Sequence, residues 1–192
     1  LFTVTGIGDY FTTLATSLVG KYRGGPAKVA IVASALFGTI SGTPSANVIG
    51  TGTFSIPMMK KLGYEPDFAG AVEAVASTGG SIMPPVMATA AFLIAEILGI
   101  TYWDVVKAAF IPAVLYYLAL YFMVDLYSMR HHLIGLKREE MPSFRLAIKQ
   151  FYLLFPMLVL ILLISVFRTT VTKAGIITIG FTFLLSCCTK QT

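Results

Sequence analysis

The sequence predicts an all-α integral membrane protein in which multi-pass helices accompany a re-entrant helical hairpin and a discontinuous (broken) helix. Of the 192 residues, 56% are hydrophobic and only 12% are charged, whereas an average soluble domain carries about 25% charged residues. Apolar stretches recur along the chain, and two regions are interrupted by clusters of Gly, Pro, Ser and Thr. This composition excludes a soluble globular enzyme and a disordered chain.

Four apolar stretches are candidates for helices that cross a bilayer, which requires about 20 residues. They are residues 1–19, 103–129, 147–167 and 174–188. The first is weakened by Gly6, Gly8 and Asp9, and the last is short. We divide the chain into a first helix (1–20), the re-entrant hairpin (21–64), the broken helix with the following span (65–129), a basic cytoplasmic connector (130–149) and scaffold-type helices (150–192).

The hairpin is predicted from two arms that are too short to cross. Residues 26–42 are apolar and run into Ser41-Gly42-Thr43-Pro44-Ser45, and residues 46–59 run into Lys60-Lys61. Each arm has about 15 residues, which cover roughly 23 Å at the helical rise. The sequence therefore predicts a turn that stops inside the membrane, although an ordinary loop between two full helices is the alternative.

The broken helix is predicted between residues 66 and 98. A straight helix of this length would be about 50 Å long, which exceeds the bilayer. Ser77-Thr78-Gly79-Gly80 and Pro84-Pro85 interrupt it, and two prolines remove two backbone donors. We therefore expect two half-helices with an unwound link, which is tolerated at that depth only inside protein or along a cavity.

The basic residues predict the orientation through the positive-inside rule. Ten fall on the predicted inner side and two, Arg168 and Lys173, on the outer side. The inner set is Lys21, Arg23, Lys28, Lys60, Lys61, Arg130, Lys137, Arg138, Arg145 and Lys149. Tyr102 and Trp103 are expected to form an interfacial aromatic belt at the outer side.

Helix ends inside a membrane leave backbone N–H and C=O groups open, which we expect near residues 42 and 80. Helix N-termini attract anions, while C-terminal ends and unwound carbonyls hold small cations such as sodium. Neutral side-chain oxygens suit a weakly held ion, and they occur at Ser41, Thr43, Ser45, Asn47, Ser77 and Thr78. A hairpin facing a broken helix is half a site in inverted-repeat secondary transporters.

Three separated blocks of the sequence resemble one transporter family. The blocks are Gly38-Thr-Ile-Ser-Gly-Thr-Pro-Ser-Ala-Asn47, Phe54-Ser-Ile-Pro-Met-Met-Lys-Lys-Leu-Gly-Tyr64 and Glu73-Ala-Val-Ala-Ser-Thr-Gly-Gly-Ser-Ile-Met-Pro-Pro-Val-Met87. They resemble the large membrane subunit of tripartite ATP-independent periplasmic (TRAP) transporters, and the third block is closer to the fused (TAXI-type) permeases. Thr43 and Pro44 depart from the family, which more often has Ser and a small residue there.

The resemblance implies one half of an inverted-repeat, elevator-type carrier in the bacterial inner membrane. It implies sodium-coupled uptake of small organic anions (carboxylates) that a periplasmic substrate-binding protein delivers, with sodium as coupling ion and no other cofactor. Further partners are the lipid bilayer and the rest of the permease, meaning a second repeat and a small-subunit region; nucleic acid is not expected. The first residue, Leu1, and an ending unlike the family's predict a fragment.

The resemblance also assigns site residues by position. Those at the tip are Ser41, Gly42, Thr43, Ser45 and Asn47, and those at the break are Ser77, Thr78, Gly79, Gly80, Pro84 and Pro85. A sodium ion is expected at Ser41, Asn47, Ser77 and Gly80. The alternatives are close helix packing for residues 77–80 and a helix cap for Asn47.

Glu73 and Glu96 are acidic residues in or near predicted membrane segments. Glu73 lies in a membrane segment but only six residues after Asp67, so we expect a structural pair within reach of interfacial water. Glu96 is expected at the interface.

An intramembrane aspartyl protease would need a Tyr-Asp pair besides Gly6-Ile-Gly-Asp9, and the chain has none, so we expect no enzyme. A channel-like pore and another elevator-type sodium/anion symporter stay open.

Overall fold

The computed structural model describes residues 7–136 and the separate positions 141, 159, 163, 176–178 and 180. The chain divides into two units, Leu1–Ile148 and Lys149–Thr192. The described residues of the first unit form six helices: α1 Ile7–Val19, α2 Gly25–Ser41, α3 Pro44–Lys61, α4 Pro66–Gly79, α5 Thr89–Leu98 and α6 Tyr102–Arg130. The predicted spans 147–167 and 174–188 and most of the connector 130–149 lie outside the described residues.

Every described element is an α-helix, which confirms the all-α class. Among the described residues, α6 is the one helix that is long and apolar enough to cross a membrane, whereas α2 and α5 are apolar but shorter. The placement of α2 and α3 as a re-entrant hairpin therefore stays a prediction, as does the number of crossings.

Helices α2 and α3 are joined by only two residues. Gly42 has a φ of 59°, a left-handed conformation that favours glycine, and its amide donates to the carbonyl of Gly38 at 3.3 Å. Thr43 is extended, and Pro44 opens α3, where the missing proline N–H costs nothing because the first helical amides lack partners. The break therefore falls at the predicted Ser41-Gly42-Thr43-Pro44-Ser45 cluster.

Helices α4 and α5 are the two halves of the predicted broken helix, and residues 80–88 form the link between them. The carbonyls of Ser77, Thr78 and Gly79 accept amides three residues further on, at 3.1–3.2 Å, and the Ala88 amide donates to Ser81 at 2.8 Å. The expectation that the carbonyls near residue 80 are open is thus wrong as stated. Each accepts a turn hydrogen bond and keeps one lone pair.

Small residues let α2, α4 and α6 approach closely. Ala27, Ala30, Ala69 and Ala76 are buried in one cluster that also contains Leu120 and Val124 from α6. A partly buried ion pair joins α2 to α6, with Lys28 Nζ 2.5 Å from Asp125 Oδ1. Lys28 was counted as an inner-side flanking charge, but it is 4% exposed, so its charge is neutralised within the protein.

Candidate functional site

The turn between α2 and α3 packs directly against the link. We call residues 41–47 the hairpin tip. A Cβ placed on Gly80 would lie 2.7 Å from Asn47 Nδ2 and 3.0 Å from the Cα of Gly38, and a Cβ on Gly42 would collide with the carbonyl oxygen of Met87. These are approaches that only glycine permits. The two regions that the sequence singles out separately therefore meet at one place.

Asn47 is a buried bridge from α3 to α2. Its side chain is fully buried, and Nδ2 donates to the carbonyl of Ser34 at 2.9 Å. Its Oδ1 lies 3.4 Å from the hydroxyl of Thr51, which also contacts the Asn47 carbonyl at 2.9 Å. The N-cap of α3 is Thr43, so the interpretation of Asn47 as a helix cap is wrong.

Glu73 is the buried centre of a hydroxyl cluster. Its side chain has 0% exposure, so the expectation that it reaches interfacial water is wrong. Oε1 accepts from Thr51 at 2.5 Å, from Ser77 at 3.2 Å and from Ser34 at 3.3 Å, and Oε2 accepts from Ser55. Because α2, α3 and α4 each supply a donor, this carboxyl group joins both hairpin helices to the first half of the broken helix.

The cluster links two of the predicted sodium ligands. Thr51 contacts both Asn47 and Glu73, and Glu73 accepts from Ser77. Among the described residues, the polar contacts of the Glu73 carboxyl group come from hydroxyls and not from a basic side chain. Asn47 and Ser77 are thereby connected through Thr51 and Glu73.

The remaining predicted residues differ in how far they are buried. The Ser41 hydroxyl oxygen is buried and has no hydrogen-bond partner in the described part of the chain, and Gly79 and Gly80 are buried. Thr43, Ser45 and Thr78 are exposed, and Pro84 and Pro85 are half-buried in the link. Thr78 donates to the carbonyl of Ala74 in its own helix at 2.8 Å, so it does not contribute to the cluster.

Sequence reasoning missed the cluster around Glu73, although a signal for it was present. Asn47, Thr51 and Ser55 recur every four residues along α3, and Glu73 and Ser77 do so along α4. Residues four apart share one helix face. Two polar stripes on otherwise apolar helices predict that the stripes face each other, since a polar group in an apolar surrounding needs a partner.

Tyr102 contacts the link. Its hydroxyl lies 2.8 Å from the carbonyl oxygen of Pro85 and 2.6 Å from that of Val86, and its ring stacks on Phe92 at 4.4 Å. Trp103 and Glu96 are exposed. The interfacial positions of Tyr102, Trp103 and Glu96 stay predictions.

Comparison with known proteins assigns the chain to a class. The chain belongs to the family of the tripartite ATP-independent periplasmic transporter DctM component, whose model matches residues 1–192. This confirms the resemblance read from the three sequence blocks. The family is one of membrane-transporter components and not of enzymes; the assignment of this chain to the fused branch stays a prediction.

Individual relatives match part of the chain. It is 33% identical over 127 residues to the uncharacterized protein YgiK of Salmonella typhimurium, which is 66% of this chain and 29% of that protein. It is 35% identical over 120 residues to the sialic acid TRAP transporter permease protein SiaT of Haemophilus influenzae (62% and 19%). It is 36% identical over 80 residues to the C4-dicarboxylate TRAP transporter large permease protein DctM of Vibrio cholerae (42% and 18%). The matched region thus spans less than a third of each relative.

Proposed function

We propose that this chain is part of the permease of a sodium-coupled secondary transporter in the bacterial inner membrane. The transporter imports small organic anions, carboxylates in particular, that a periplasmic substrate-binding protein delivers. Membership of the DctM family supports a transport role. The names of two relatives, one for sialic acid and one for C4-dicarboxylates, support a carboxylate because both solutes carry that group.

The observation that carries the proposal is the hydroxyl of Ser41. It is buried at the hairpin tip without a partner among the described residues, and leaving a buried polar group unpaired costs about 1–3 kcal/mol. Its neighbour Gly42 contacts the link. A cation that binds where tip and link meet would be coordinated by the Ser41 oxygen. The bound ion would then offset the free-energy cost of burying this hydroxyl.

The proposal includes two ligand positions. The proposed sodium ion takes neutral oxygens from Ser41, Asn47, Ser77 and the backbone at Gly80, because an ion that must leave again suits neutral ligands. The proposed carboxylate lies at the start of α3, where the first-turn amides and the helix dipole favour negative charge. Thr43 and Ser45 are exposed at that helix start and add hydroxyl donors.

The same proposal covers the surroundings of the site. Helices α2 and α3 enter the membrane as a re-entrant hairpin, and α6 crosses it. A second, inverted repeat supplies the other half of the site, and the hairpin-bearing part moves against a scaffold as in an elevator. The small-subunit region and the substrate-binding protein complete the transporter.

The test is uptake by the transport-competent permease that contains this chain, reconstituted in proteoliposomes with its binding protein. Radiolabelled sialic acid and succinate are the probes, with sodium or choline outside. We expect saturable uptake that requires sodium, its loss in Ser41→Leu, and its retention in Thr53→Leu, which changes an exposed residue of α3 away from the tip. Uptake that is equal in sodium and choline, or currents faster than a carrier can turn over, would contradict the proposal.

A further inference from the structure

Helix α6 is hydrogen-bonded to α4, the half of the broken helix that precedes the link. The Tyr117 hydroxyl donates to the carbonyl of Ala76 at 3.0 Å, and the Tyr116 hydroxyl donates to that of Val75 at 2.8 Å. The last four carbonyls of a helix have no intrahelical donor. In α4 the carbonyls of Ser77, Thr78 and Gly79 accept hydrogen bonds from the turn amides. The carbonyl of Ala76 accepts one from the Tyr117 hydroxyl.

The start of α6 is also hydrogen-bonded to the second half of the link. The single hydroxyl proton of Tyr102 is shared between the carbonyls of Pro85 and Val86, at 2.8 and 2.6 Å. The Tyr102 ring stacks on Phe92 of α5 with an interplanar angle of 7°. The start of α6 is therefore attached to both the link and the second half of the broken helix.

Gly79 permits the close approach between the end of α4 and helix α6. A Cβ on Gly79 would lie 2.5 Å from Cε1 of Tyr116 and 2.9 Å from Cζ of Tyr117, closer than carbon atoms pack. Gly79 is thus required by the tyrosine rings. This favours the packing alternative for Gly79, as the close approach to Gly38 does for Gly80.

From these contacts we infer that Tyr102 and Tyr117 are positioning residues for the proposed ion site. Their hydroxyls bracket residues 77–84, and the 15 helical steps between the two residues place their Cα positions about 22 Å apart along α6. Because both ends of the link are bonded to the same helix, these hydrogen bonds hold the Ser77 hydroxyl and the backbone at Gly80 in place against the hairpin tip. The inference rests on the proposed function, but the contacts themselves do not.

The experiment compares Tyr117→Phe and Tyr102→Phe with the matched control Tyr127→Phe. Phenylalanine keeps each ring and removes one hydroxyl; the Tyr127 ring stacks on Phe68 and His131, and its hydroxyl bonds to no described residue. Two quantities are measured on the reconstituted permease: the sodium concentration for half-maximal uptake of labelled succinate or sialic acid, and amide hydrogen exchange across residues 80–88.

A lost hydrogen bond of ordinary strength changes an equilibrium about two- to tenfold. We expect both variants to need about two- to tenfold more sodium and to exchange faster across the link by a similar factor, with maximal uptake and the Tyr127→Phe control unchanged. Equal sodium requirements and equal exchange in all three variants would overturn the inference. If wild-type uptake does not depend on sodium, the proposed function fails, while the exchange data still decide whether the two hydroxyls hold the link.

Discussion

Removing the Glu73 carboxyl group should loosen the contact between the hairpin and the broken helix. In Glu73→Ala, hydroxyls from three helices lose their shared acceptor. Four hydrogen bonds at about 0.5–1.5 kcal/mol each amount to roughly 2–6 kcal/mol. Ser55 and Ser77 can turn back to carbonyls four residues earlier in their own helices, so we expect a net cost of about 2–4 kcal/mol.

The assay is thermal unfolding of the purified permease in detergent, with Glu96→Ala as the control. Glu96 is the same residue type on an exposed face of α5, where substitutions usually cost less than about 0.5 kcal/mol. In a protein of about 150–250 residues a cost of about 2–4 kcal/mol lowers the melting temperature by roughly 4–16 °C, and we expect a smaller shift in the same direction for the larger permease. Glu73→Gln preserves shape and one acceptor oxygen, so it should fall between the two. Equal melting temperatures for Glu73→Ala and Glu96→Ala would refute the assignment of Glu73 as the central acceptor.

Two further predictions use pairs of variants in the same melting assay. Asp125→Asn should destabilise by about 1.5–3 kcal/mol because it removes the charged acceptor of Lys28, while Asp125 itself is partly exposed. Lys28→Met with Asp125→Leu should recover most of the loss, and additive losses in the double variant would argue that the pair is not coupled. Gly38→Ala should destabilise because its Cβ would collide with the Cα of Gly80, whereas Gly70→Ala, which meets nothing within 4 Å, should stabilise by about 0.5–1 kcal/mol. Equal shifts in the two glycine variants would mean that the tip and the link do not touch.

Local signals made the helix boundaries predictable. The span expected at residues 103–129 is helix α6, Tyr102–Arg130, because a long apolar run has few ways to satisfy its backbone. The second hairpin arm, expected from residue 46, begins at Pro44 because proline at the first helical position is preorganised for a helix. In both cases chain length and breaker residues carry the information.

The interior of the site was less predictable because it depends on which helix faces which. Asn47 and Ser77 could be named from a motif, but their connection passes through Thr51 and Glu73, which are 22 residues apart in sequence. The hydrogen bonds of Tyr102 were not predictable either, because an aromatic residue beside an apolar span indicates an interfacial position and names no partner. Only the folded position of the link places the carbonyls of Pro85 and Val86 beside its hydroxyl.

The central claim, that a cation completes the hairpin tip, is tested most directly by chemical labelling of the tip. Ser45→Cys places a thiol at an exposed position in the first turn of α3, in a background where Cys187 and Cys188 are replaced by serine. Its reaction rate with a membrane-impermeant maleimide is measured in sodium and in choline, with Asp67→Cys at the exposed start of α4 as the control. The account predicts that sodium slows labelling at residue 45 several-fold and leaves residue 67 unchanged; equal rates at residue 45 in both salts would contradict it.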